Sequence, residues 1–74
     1  MAVSTISSAI KRIDLTSTTD ASRNQYLGLS LPRAVICACS DEGGIVTPFL
    51  SSNGRWYLKA EQASTEYHFH YWVI

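Results

Sequence analysis

The sequence predicts an all-β fold: a small antiparallel β-sandwich of about six strands with a short N-terminal helix or arm, completed by oligomerisation. Three observations lead there. Turn-forming clusters recur at intervals of about 10–12 residues. The runs between them are rich in Val, Ile, Thr, Tyr and Trp, the residues that fit a pleated, half-buried surface. Finally, only 16% of the 74 residues are charged, against about 25% in ordinary soluble domains. A chain this short buries only about 60% of the surface its unfolded form exposes. A neighbouring copy is the natural source of the missing burial.

Taken in order, residues 1–12 read as a short helix or docking arm, because Val3, Ile6 and Ile10 have spacings compatible with one helical face. The β-rich domain follows over residues 13–74. Its strand runs are expected at residues 10–16, 25–31, 33–39, 45–50, 55–60 and 65–74. Asp20-Ala21-Ser22-Arg23-Asn24 separates the first two, with Arg23 where glycine would turn the chain more easily. Leu27, Leu29 and Leu31 alternate with Tyr26, Gly28 and Ser30, and Pro32 then breaks the run. Ala34 to Cys39 is small or apolar throughout, which reads as a strand buried on both faces. Asp41-Glu42-Gly43-Gly44 is a turn, and Pro48 restricts its run to an edge or bulged strand. Ser51-Ser52-Asn53-Gly54 carries the Asn-Gly pair of a tight hairpin. In the last run Tyr67, Phe69, Tyr71 and Val73 share one face, and Glu66, His68, His70 and Trp72 share the other.

Composition excludes more functions than it selects. Six basic and six acidic side chains cancel, which removes the electrostatic footprint of a nucleic-acid binder. No apolar run approaches the ~20 residues of a membrane span, so no membrane insertion is expected. The basic residues of the N-terminal segment follow its apolar part, the reverse of a signal peptide. Neither a phosphate-binding loop, a G-x-S-x-G elbow nor an H-E-x-x-H motif is present. The carboxylates fall mostly in or beside turns, so no enzymatic activity is expected. Cys37 and Cys39 would stand side by side on one strand face with Cα atoms roughly 6.5–7 Å apart, a poor disulfide geometry. They read as two buried free thiols.

Two constellations carry chemistry. His68 and His70, at i and i+2 on a strand, project from one face and can reach one ion. Three copies around a threefold axis would supply six imidazole nitrogens, enough for an axial transition metal such as iron, nickel or zinc. Otherwise the pair shares a polar face with Glu66 and Trp72, and no cofactor is needed. Seven of the eight aromatic residues lie in residues 49–74. Most belong to core or subunit interface. Tyr57 beside Lys59, and Trp72 beside the histidines, are the ingredients of a receptor-binding surface.

Residues 13–22, the run Asn24-Gln25-Tyr26-Leu27-Gly28-Leu29, the segment Val35-Ile36-Cys37-Ala38-Cys39, and the hairpin from Pro48 to Lys59 together form a pattern. It resembles the C-terminal tip modules of bacteriophage tail fibres and related receptor-binding proteins. The resemblance implies a non-enzymatic homotrimer on the virion, cytoplasmic during assembly, that recognises a host-surface glycan or protein receptor. His68-Phe69-His70 also resembles the H-x-H element with which some trimeric phage fibres bind iron on their axis. Two alternatives stay open: a structural virion or assembly protein, such as a baseplate or decoration subunit, and a small carbohydrate-binding module.

Overall fold

The computed structural model describes residues 10–74. Six strands follow one another: β1 (Lys11–Thr18), β2 (Asn24–Ser30), β3 (Val35–Ser40), β4 (Thr47–Leu50), β5 (Arg55–Lys59) and β6 (Glu66–Val73). They form two antiparallel three-stranded sheets, ordered β1-β6-β3 and β2-β5-β4. The described residues contain no helix. The helix or arm expected over residues 1–12 lies, up to residue 9, outside the described residues. Its last two residues, Lys11 and Arg12, belong instead to β1, where they pair with Val73 and Trp72.

Only β4 and β5 are neighbours both in sequence and in a sheet. Every other connection carries the chain from one sheet to the other. β5 and β6 therefore become the two central strands, and this explains why the aromatic residues crowd into the C-terminal third. Phe69, Leu58 and Val73 are fully buried on these strands. Tyr67, Tyr71, Val35, Val46 and Ala60 complete the core, with Ile13, Leu15, Leu27, Leu29, Ala38 and Trp56 packed against it. Both sheets contribute to this one core.

The β1–β2 and β4–β5 connections are built alike. In each a three-residue loop closes between paired residues: Ser51 N–H donates to Arg55 O, and Asp20 N–H donates to Asn24 O (2.9 and 3.0 Å). In each the third loop residue has a left-handed backbone, Gly54 at φ 80° and Arg23 at φ 68°. This is a type I turn followed by a bulge residue. Asp20 reinforces its loop by accepting from the backbone N–H groups of Ser22 and Asn24 at 2.8 and 2.9 Å. Thr19, 3% exposed, pins the corner where the two sheets meet. Its hydroxyl donates to Gln62 O (2.7 Å) and accepts from Thr65 N–H (3.1 Å).

Pro48 lies on β4, an edge strand, as a residue without an N–H requires. The expectation for β3 needs correcting. Val35 is buried and Ala38 faces the core, but Ile36 is 46% exposed and both Cys37 and Cys39 are exposed free thiols. β3 is an edge of a three-stranded sheet, and among the described residues no strand covers its outer side.

Candidate functional site

Each sheet turns one face to the core and one to solvent, and the two solvent faces differ sharply. On the β1-β6-β3 sheet the register sets Arg12 beside Trp72 and Cys37, and Asp14 beside His70 and Cys39. Asp14 Oδ1 accepts from Arg12 Nε (2.9 Å) and His70 Nδ1 (2.7 Å), and Asp41 Oδ1 accepts from His70 Nε2 (2.7 Å). The imidazole thus bridges β1 to the turn after β3. Glu42 reaches back to His68, accepting from its backbone N–H at 2.8 Å and from Nδ1 at 2.6 Å. The hydrogen bond from Asp14, joined by that from Asp41, raises the His70 pKa above its ordinary value. Glu42 does the same for His68. In return Asp14 is lowered, chiefly by His70 and then by Arg12, and Glu42 is lowered by His68. Arg12 Nη2 stands 3.2 Å from His70 Nδ1. With the imidazole protonated both are donors, so this close approach is not a hydrogen bond.

The chemistry of this face follows from its geometry. Both nitrogens of His70 point at carboxylates, so the ring has no free lone pair to ligate an ion or to deprotonate Cys39 across the ladder. His68 keeps only Nε2 clear of Glu42. Among the described residues no group of three or more His, Cys, Asp or Glu side chains could hold a metal ion. The arrangement is a set of charge-assisted cross-strand staples.

The outer face of the β2-β5-β4 sheet is aromatic. Tyr26 pairs with Tyr57, and Tyr57 with Phe49, so three rings cross the sheet in one row. Ring centroids are 5.3 Å apart for Tyr26–Tyr57 and 5.6 Å for Phe49–Tyr57, the second pair nearly parallel at 15°. Two cations flank the row: the Arg55 guanidinium lies 5.8 Å from the Tyr26 ring and Lys59 Nζ 5.9 Å from Phe49. A cavity of about 300 Å³ opens over the Phe49–Tyr57 end, with Asp20 and Asn24 on one side and Ser51, Ser52 and Asn53 on the other.

Sequence reasoning named Tyr57, Lys59, Trp72, His68 and His70. The structure brings Tyr57 and Lys59 together on this aromatic face. It puts Trp72 with the two histidines on the opposite sheet, its ring under the Arg12 guanidinium at 5.9 Å. Reasoning from sequence did not single out Tyr26, Asn24 and Asp20, whose positions depend on pairing β2 with β5, nor Phe49, which the β4–β5 hairpin sets beside Tyr57. It also missed Asp14, Asp41 and Glu42 as the partners of the histidines. Asp14 was within reach, since it shares outward parity with Arg12 on β1.

No protein-family model, curated protein or solved structure gives a significant match to this chain. Among the described residues no helix is long and apolar enough to cross a membrane.

Proposed function

We propose that the chain is a non-enzymatic binding module whose outer β2-β5-β4 face docks a surface receptor, as the resemblance to phage fibre tips implies. The observation that carries this reading is the aromatic row Tyr26–Tyr57–Phe49 on the outer face, Tyr26 exposed and Tyr57 and Phe49 half-buried, flanked by Arg55 and Lys59. Aromatic side chains and arginine are the types enriched where proteins bind, because rigid rings supply contact area at small entropic cost. Among the described residues no other element packs over this face. The opposite face, by contrast, spends its charges on its own cross-strand staples.

Trimerisation belongs to the same proposal. Leu31, Ile36 and Ile74, 62%, 46% and 53% exposed, lie around the β2–β3 crossover and the end of β6. Burial of such residues by neighbouring copies would stabilise a domain this small. Metal is no part of the proposal, because an ion would have to displace the carboxylates from His70.

Retention on an array of immobilised glycans and on a panel of bacterial cells tests the docking role. Specific retention on at least one of them is the expected result. Retention on none, with the protein folded, would return the chain to the structural-subunit reading. Sedimentation tests the oligomer: a folded monomer at micromolar concentration rules out the trimer.

A further inference from the structure

We propose that the cavity over Phe49 and Tyr57 is a subsite for one neutral pyranose ring of a glycan, with Asn24 and Asp20 as the groups that recognise its hydroxyls. The inference rests on the docking reading above and makes it chemically specific. Four observations support it.

Two stacked aromatic rings, Phe49 and Tyr57, line the cavity, and an aromatic ring is the apolar surface against which the C–H face of a sugar packs. The remaining lining residues, Asp20, Asn24, Ser51, Ser52 and Asn53, are all polar and rich in hydrogen-bond acceptors and hydroxyls. At about 300 Å³ the space lies at the small end of ligand pockets, which fits a single ring. Most telling is Asn24. Its Oδ1 is buried and has no hydrogen-bond partner among the described residues, a condition native structures rarely leave without a bound water, ion or ligand to account for it. No hydrogen bond among the described residues holds that oxygen, so a turn of the amide out of its buried position would bring it to a hydroxyl in the cavity.

Asp20 adds charge selectivity. Its Oδ1 is already taken by the backbone N–H groups of Ser22 and Asn24, which leaves Oδ2 without a protein partner among the described residues. A carboxylate oxygen there accepts from sugar hydroxyls and repels a carboxylate or sulfate on the ligand. Lys59 Nζ, the nearby cation, donates to Ser22 O at 3.3 Å and so is engaged at the loop. Neutral sugars are therefore expected to bind, and sialylated or uronic sugars to be rejected.

The test is amide chemical-shift mapping of the full chain with a panel of methyl pyranosides, neutral and acidic, alongside retention on the glycan array. At least one neutral pyranoside should shift the amides of Asn24 and of Ser52 to Gly54 at millimolar concentration. Asn24→Ala should abolish that response, weakening binding tenfold or more, while leaving the melting temperature unchanged or higher. His70→Ala, on the far sheet, should bind as the wild type does. Shifts that map elsewhere, an unaffected Asn24→Ala, or no response to any pyranoside would overturn the inference. The docking reading would survive each of these if cells are still retained through Tyr57. If neither cells nor glycans are retained, both fall together.

Discussion

Single residues set the local tolerances of this fold. Arg23 holds the left-handed position that Gly54 occupies in the matching loop. A side chain there costs about 1–2 kcal/mol in steric strain, and glycine recovers part of that after its own entropic cost. Arg23→Gly should therefore stabilise the domain by about 1 kcal/mol, read as a higher denaturant midpoint with unchanged slope. A lower midpoint would show that the arginine makes a contact worth more than the strain. The histidine staples make a pH prediction. His68 and His70 are raised, so their contribution is complete below the ordinary histidine value of about 6.5 and is lost as pH rises through the raised values. Asp14 and Glu42 are lowered, so theirs is complete above ordinary carboxylate values near 4 and is lost as pH falls through the lowered ones. Thermal melting should peak in the mildly acidic range between these limits and decline toward alkaline pH. His70→Ala should flatten that decline, and a melting temperature that climbs from pH 6 to 8 would contradict the staples. The histidine pair was legible in the sequence as a same-face constellation. Its carboxylate partners were not, because Asp41 and Glu42 read locally as turn formers and reach the histidines only through the β3–β6 pairing.

At the scale of the element, alternation and punctuation located every strand. The expected runs at residues 25–31 and 65–74 differ from β2 and β6 only at their ends, since period-2 patterning is strong where one face is buried. Pairing was a different matter. With four of five connections crossing between sheets, sequence neighbours are mostly not ladder neighbours, and no local signal records that β1 pairs with β6 or β2 with β5. The bulge at Gly28, φ 72°, also shifts the β2–β5 register between Tyr26 and Ser30. Small, apolar β3 misled for a related reason. Its composition suits burial on both faces, yet an edge strand with one open side accepts the same residues when they are small. The corner that makes the crossing possible rests on Thr19. Replacing it with Val keeps the shape and removes the hydroxyl, leaving Gln62 O and Thr65 N–H short of a partner. Thr19→Val should cost about 1–3 kcal/mol. A loss within a few tenths of a kcal/mol would mean that water replaces the hydroxyl and that the corner is held by the backbone alone.

For the whole molecule, the two outer faces divide the work. One binds itself through Asp14, His70, Asp41, Glu42 and His68, and the other presents exposed Tyr26 and half-buried Tyr57 and Phe49 beside a polar cavity. The central claim is that recognition belongs to the second face. The sequence alone could not separate them, because Tyr57, Lys59 and Trp72 all read as exposed aromatic or cationic groups, and only the strand order assigns Trp72 to the opposite sheet. The most direct measurement is to compare retention of wild type, Tyr57→Ala and Trp72→Ala on whichever glycan or cell the wild type binds, with folding of each checked by thermal melting. Removing an aromatic hot spot from the centre of a binding surface costs about 2 kcal/mol or more, a loss of roughly thirtyfold in affinity. Tyr57→Ala should lose binding on that scale while Trp72→Ala stays within about twofold. Retention abolished by Trp72→Ala and untouched by Tyr57→Ala would move the binding surface to the histidine face and contradict the account.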